Sequence, residues 1–562
     1  MRKTVLVIFS CFLSLLFVPK TYGQGQDKLL GLLKEELAQQ MKELKGEEFP
    51  PYHMNYRVID VTSSVVSASF GALMNSQQYR SRTLVPQIRL GDEKLDNFRF
   101  NQMGSAMSRF QGPSVARLPL DEENNDDAVR QAIWDEVNNR YKFAVDMYQK
   151  TKAESSVNVE EEDKAPYFSE AKVEKYYEAP LPAEKMTIDM DQWAARMKEI
   201  SAVFKNHPGI MKGDAIMIYT VERRYFVNNE GTEVVQNLPY ARIMVFGETK
   251  ADDGMELPLN LSYFAYDPAD LPANDKIIAD AKEMVKTLEA LRVAPVVDPY
   301  TGPALLSGPA SGVFFHEIFG HRIEGQRMKS ENDGQTFKKM IGQFVLPEGM
   351  HVYDDPTLRK YAGEDLNGFY KYDDQGVKAE RVDVVVNGKL NDFLMTRTPI
   401  DGHPRTNGHA RASDGFDPVS RQSNLVIETS NPKTPEELRQ LLIEEVKKQG
   451  KEYGYFFKEV TSGKGGTNSF NVTPLEVYKV FADGRPDQLV RGVDLIGTPL
   501  SMFSNIIYAG NDARVFTGMC GAESGSIPVT AISPTILVNK VETQRKAKSQ
   551  DILPILPAPG TK

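Results

Sequence analysis

Cysteine is almost absent from this sequence, with two residues in 562, Cys11 and Cys520. A disulfide scaffold is excluded: Cys11 falls in a segment expected to be removed, which leaves Cys520 alone. Long apolar runs are absent beyond the first twenty residues. A membrane-spanning helix needs about 20 such residues, so the mature chain is expected to be soluble. Positive charge is also short, with 67 Lys and Arg against 77 Asp and Glu and a formal net charge of −10. Such a chain has no electrostatic case for nucleic acid. Histidine is scarce as well, at seven residues, so where the histidines fall is informative.

The one long apolar run is at the start. Arg2 and Lys3 precede Val5 to Val18, which are apolar except for two serines, and Pro19 then breaks the run. Thr21-Tyr22-Gly23 offers small residues for a cut before Gln24, the layout of a secretory signal peptide. The run is too short to span a bilayer, and too little apolar sequence precedes Cys11 for a lipoprotein. Export to a periplasmic or secreted location follows, with an uncleaved anchor as the competing reading. Removal of Arg2, Lys3 and Lys20 takes the formal charge from −10 to −13. In an oxidising compartment a free thiol is a liability unless something holds it.

The chemistry concentrates at His316-Glu317-Ile318-Phe319-Gly320-His321, which follows the apolar Val313-Phe314-Phe315. Two imidazoles can ligate zinc and the carboxylate between them can serve as a base. The common zinc-protease helix places its histidines at i and i+4. Here the spacing is i, i+5, which leaves the rings about 140° apart on an ideal helix instead of about 40°. A π-bulge, or a helix that loosens at Gly320, would bring both rings to one side. A third ligand is offered by Cys520. It lies in Thr517-Gly518-Met519-Cys520-Gly521, where flanking glycines make a poor setting for a core hydrophobe. Metal ligands His316, His321 and Cys520 would leave the fourth position of a tetrahedral zinc open for water, with Glu317 as the catalytic base.

These residues, followed by Ser526-Ile527-Pro528-Val529 and Ser533-Pro534-Thr535, resemble the TldD/PmbA metallopeptidases and the H-E-x-x-x-H motif of their metal-bearing subunit. The resemblance also takes in Asp373-Asp374-Gln375-Gly376, Thr461-Ser462-Gly463-Lys464, Leu495-Ile496-Gly497, Gly510-Asn511-Asp512 and the hairpin-like Val227 to Gly231. It covers residues 215–545 and is weak before that. It implies an α+β fold, with a C-terminal β-barrel-like domain enclosing the metal behind an N-terminal α+β domain with an antiparallel sheet. It also implies zinc-dependent hydrolysis of unfolded or short peptides and a dimer, either a homodimer or a heterodimer with a related subunit lacking the motif. Two alternatives stand beside it. One is a dipeptidyl-peptidase-III-like zinc exopeptidase with a ligand from Glu436-Glu437 or Glu444-Glu445; the other is a non-catalytic exported binding protein with a decayed site.

The chain divides into residues 1–23 (signal), 24–293 (N-terminal domain), 294–545 (metallopeptidase domain) and 546–562 (tail). Periodicity predicts helices over residues 24–48, 127–150, 191–206, 274–291 and 434–449, and strands over 56–59, 64–70, 215–227, 233–236, 241–248, 382–386 and 393–396. The acids Glu160 to Asp163 read as a solvated loop and His207 as a helix end. His409, beside Gly408, reads as a surface loop or, less simply, as an oxyanion donor. Tyr453 and Tyr455 read as packing. The glycines Gly408, Gly463, Gly465, Gly466, Gly518 and Gly521 suggest a narrow channel that reads backbone more than side chains.

Overall fold

A computed structural model describes residues 27–98, 115–121, 125–155, 163–329, 335–465 and 470–546. The segment expected to be a signal peptide, Cys11, Glu160 to Glu162, Gly466 and most of the tail lie outside the described residues.

The N-terminal half is organised by four strands long enough to pair almost without interruption. Pro51–Ser69 and Ala72–Asp92 form a hairpin, and Ile210–Asn228, Glu233–Lys250 and Glu256–Ala265 continue it as an antiparallel meander. The first turn takes positive φ at both Phe70 (44°) and Gly71 (78°), the sense that matches the twist of a tight hairpin. Strand periodicity then divides the labour. Even-numbered Met54, Tyr56 and Val58 pack under helices Lys28–Leu44 and Asp126–Ser155, while Val66 and Ala68 pack with Met190–Ser201 and Asn274–Val293. Odd-numbered Arg57 faces the other way and meets Asp374 at 3.7 Å and the Phe416 carbonyl. One face therefore buries apolar side chains, at about 1.5–3 kcal/mol for each large one, and the opposite face carries polar links to the C-terminal half.

The C-terminal half holds a closed five-stranded barrel of Tyr300–Leu306, Tyr453–Gly465, Phe470–Phe481, Val493–Gly497 and Ile536–Arg545, closed by the pairing of Tyr453–Gly465 with Phe470–Phe481. Beside it stands a six-stranded sheet that ends in Asn424–Thr429, Gly525–Ser533 and, at its edge, Arg514–Ala522. Helix Pro435–Lys448 starts from a capping box between Thr434 and Glu437, and it packs Leu438, Leu442 and Val446 on Leu305, Val480 and Leu537. The mixed α+β architecture with antiparallel sheets and a C-terminal barrel agrees with expectation.

Some local expectations fail for identifiable reasons. Phe393 to Thr396 is not a strand: Leu394 makes only an isolated bridge with Glu324, because the following residues turn away to serve side-chain hydrogen bonds. The predicted helix through Asn206 ends as an α-helix at Ser201 and finishes in a 3₁₀ turn before Asn206 takes a positive φ of 63°. Asp163 is buried near Lys329, 3.8 Å away, and is not solvated as expected. Among the described residues, no helix is long and apolar enough to cross a membrane.

Candidate metal centre

The motif begins as an ordinary helix and then changes pitch. Ser307 caps Gly308–Phe314 by accepting from the Ala310 N–H at 3.3 Å, and Pro309 occupies the first turn, where its missing N–H costs nothing. Phe315–Phe319 then winds as a π-helix, in which the Gly320 N–H bonds the Phe315 carbonyl five residues back. That extra residue per turn brings His316 and His321 onto one side, with ring centroids 5.2 Å apart. Val313, Phe314, Phe315, Ile318 and Phe319 anchor the turn in the core shared with the barrel strands. Gly320 is required by packing: a Cβ there would lie 1.8 Å from Gln422 Oε1. Gln422 uses the space to donate from Nε2 to the His316 carbonyl at 3.3 Å.

Cys520 arrives from outside the barrel, on the edge strand Arg514–Ala522. The centre therefore sits beside the barrel and is not enclosed by it. In the hairpin register Cys520 is opposite Ile527, and the two share a small apolar cluster with Val529. Arg421 pins this hairpin, donating to the Cys520 carbonyl at 2.8 Å, the Ser524 hydroxyl at 2.9 Å and the Gly525 carbonyl at 3.1 Å. One donor atom from each of His316, His321 and Cys520 lies within 4.8 Å of the others. Cys520 Sγ is 3.4 Å from His321 Nε2. Tetrahedral zinc with ordinary Zn–S and Zn–N bonds would separate such a pair by about 3.5 Å, so the donor set and this spacing fit zinc.

Electrostatics prepare the ligands. Burial would raise the Cys520 thiol, but the imidazoles of His321 and His316 override it and hold the pKa well below the ordinary value. Burial would lower His321, whereas Glu324 and the Cys520 sulfur together raise it to about 10. The thiolate that a metal needs is thus favoured already, and metal uptake would release the His321 proton.

Glu324 was not singled out in the sequence and proves central to this arrangement. It is fully buried, and Oε2 accepts from His321 Nδ1 at 3.1 Å, which leaves Nε2 directed at Cys520. Burial opposes its charge, yet His321 and Arg327 keep the carboxyl well below the usual range. Arg327 bridges Glu324 at 2.9 Å and Glu523 at 2.7 Å, tying the motif segment to the cysteine hairpin. The available signal was an acid three residues after the second histidine. Glu317 is half-buried beside His316, and its carboxylate has no hydrogen bond or ion pair among the described residues.

The other candidates take structural places. His409 is neither a surface residue nor a cleft donor: it is fully buried, 3.2 Å from Asp354. Tyr455 is core and Tyr453 stacks on Tyr300. Glu437 is spent on the capping box and Glu445 on Lys448 and Gln449, on a helix packed against other elements than the motif. Asp373 accepts from the N–H groups of Gln375, Val377 and Ala410, and Asp374 meets Arg224 at 3.2 Å, so this pair braces a turn against the N-terminal sheet. Gly408 is needed for close approach to the Lys378 carbonyl. The side chains of Thr461 to Gly465 lie outside the described residues.

A mixed α+β fold thus brings the two histidines of an H-E-x-x-x-H turn and a cysteine together as three donors able to hold a metal ion. Residues 299–545 match the PmbA/TldA metallopeptidase C-terminal domain. A metalloprotease of Methanothermobacter thermautotrophicus is 26% identical over 325 residues, covering 56% of this chain and 65% of the relative. A zinc metalloprotease TldD homolog of Saccharolobus solfataricus is 24% identical over 245 residues, 43% and 51% of the two chains. TldE from Thermococcus kodakarensis shares the fold over 91% of this chain and 100% of its own, at a TM-score of 0.60 and 15% identity. Residues 299–545 thus form a domain of the PmbA/TldA metallopeptidase C-terminal type. The chain spans between about half and two-thirds of the length of these two curated relatives.

Proposed function

We propose that the protein is an exported zinc-dependent peptidase acting on unfolded or short peptides. The observation that carries this reading is the meeting of His316, His321 and Cys520 donor atoms within 4.8 Å, with Glu317 adjacent to His316. Zinc, when bound by these three, supplies a Lewis acid to polarise a peptide carbonyl and to acidify water. Glu317 would take the proton of the attacking water and return it to the leaving amine. Glu324 orients His321, and Arg421 with Gln422 holds the cysteine hairpin and the π-turn in register. The printed names of the curated relatives support peptidase chemistry, and one of them specifies zinc.

Metal analysis of the purified mature protein, paired with cleavage of an unfolded peptide mixture with and without chelator, tests the proposal. Stoichiometric zinc and chelator-sensitive cleavage are expected. Cleavage by Glu317→Gln equal to that of the parent would overturn it. Incubation with a stable folded protein and with the same chain irreversibly unfolded tests the substrate class; equal cleavage of both removes the restriction to disorder. Export rests on the segment before Gln24, and cell fractionation with sequencing of the mature N-terminus tests it. A dimer is also proposed, formed with a second copy or with a related subunit lacking the motif. Mass measurement of the native protein from its own cells distinguishes the two.

A further inference from the structure

We propose that the groove behind the cysteine strand, where the N-terminal sheet meets the C-terminal half, binds a carboxylate borne on an apolar or aromatic group. Arg411 is its buried cationic floor and Arg359 its cationic rim. The groove encloses ≈ 70 Å³ and adjoins a second hollow of ≈ 70 Å³, both lined by Glu222, Arg224, Tyr240 and Pro528 and open to solvent. It lies on the Met519–Pro528 face of the hairpin. Cys520 alternates to the opposite face, so an occupant would sit one backbone thickness behind the metal ligands without touching them.

The argument rests on an unbalanced charge. Arg411 is 4% exposed and lies over the Tyr370 ring, and its only hydrogen bond among the described residues runs from Nη1 to the Gln422 carbonyl at 2.6 Å. Arg411 lines the groove, and its other N–H groups meet no protein acceptor among the described residues. Asp374, the acid whose charge acts on Arg411, is committed to Arg224 at 3.2 Å, Arg57 at 3.7 Å and the Ala412 N–H at 2.8 Å, and Glu222 in the groove wall is paired with Arg224 at 2.6 Å. Burial depresses the Arg411 pKa, with Arg224 and Arg421 adding repulsion against Tyr370 and Asp374, as expected for a cation lacking its own counter-ion. A guanidinium presents a planar fork, and its natural complement is a carboxylate. At the mouth, Arg359 is exposed and stacks on Tyr266 and Phe369 with no ion pair among the described residues. Those rings, with Phe264, give the walls an apolar character suited to a side chain next to the anionic group.

The test is calorimetry on the intact mature protein with N-acetyl-phenylalanine and with its carboxamide. The acid is expected to bind one to one and at least about tenfold tighter than the amide, and this preference is expected to weaken in high salt. Arg359→Ala, an exposed change that leaves the fold and zinc content alone, is expected to remove most of that preference. Arg411→Lys is expected to weaken the acid further by losing the fork, with zinc content and melting temperature checking that the site is intact. Equal binding of acid and amide, no binding of the acid, or binding undiminished in Arg359→Ala overturns the proposal. So does loss of binding on chelation, which would put the acid at the metal. A tripeptide ending in a free phenylalanine separates the sources of the carboxylate. Binding as tight as that of N-acetyl-phenylalanine supports a peptide end, and weaker binding supports a free small acid. The outcome does not depend on peptidase activity.

Discussion

The two halves of the chain solve opposite problems with the same strand chemistry. In the N-terminal sheet, strands of 18–21 residues saturate each other's backbone, and helices cover one face. Side chains there need only alternate. Around the metal centre the elements are a seven-residue helix, a five-residue π-turn and an edge strand, and side chains supply what the backbone lacks. Arg421 holds three acceptors on the cysteine hairpin, Gln422 holds the π-turn, and Glu324 holds His321. The sheet half is redundant and the site half is not, so single substitutions should separate them.

The largest effect is expected at the ligands and the base. Cys520→Ala removes one of three donors, and stoichiometric zinc should be lost while far-UV circular dichroism of the sheet half stays as in the parent. Glu317→Gln should retain zinc and lower kcat by roughly 10²- to 10⁴-fold, because only the proton-carrying group is gone. Retained stoichiometric zinc in Cys520→Ala would mean that the third ligand lies elsewhere.

The same contrast decided what could be read from residues alone. The long strands announced themselves by alternation and the helices by apolar spacing. The π-turn was readable too, since i, i+5 histidines cannot share a face of an ordinary helix. Cys520 was found because it had almost no company. Glu324, Arg421 and Gln422 were not found, because each acts once, through a tertiary approach that leaves no period behind. His409 was misread because a neighbouring glycine signals a turn; its burial against Asp354 is a long-range contact. The barrel came from resemblance, since short strands broken by turns do not state how they close.

A smaller effect is expected where the halves join. His53, on the first long strand, is 2% exposed and packs on Phe168 at 4.6 Å, with Nδ1 3.6 Å from Glu230. Glu230 is itself gripped by Arg397 through two bonds of 2.6 and 2.7 Å. Burial lowers the His53 pKa from 6.5 to about 4 despite that carboxylate. Between those values the unfolded chain binds more protons than the folded one, so stability is full above about pH 6.5 and falls as the pH drops toward 4. The loss is about 3 kcal/mol by pH 4. Chelated protein melted across this window should show the slope, and His53→Gln should flatten it. An unchanged slope in the variant would assign the acid sensitivity to other groups.

The smallest and most discriminating change is Glu324→Gln. It keeps the shape of the side chain and a hydrogen-bond acceptor for His321 Nδ1, but removes the negative charge that raises the basicity of that imidazole and that pairs with Arg327 and Arg421. A carboxylate behind a ligating histidine typically contributes 10–100-fold in metal affinity, or about 1.4–2.7 kcal/mol. Zinc affinity measured by competition with a chelator should fall by that factor, while kcat at saturating zinc stays within a few-fold of the parent. Arg327 would still reach Glu523, so the hairpin should remain attached and the melting temperature of the metal-free protein should shift little. A fall in kcat at saturating zinc as large as that of Glu317→Gln would instead make Glu324 the proton carrier and exchange the roles given to the two acids.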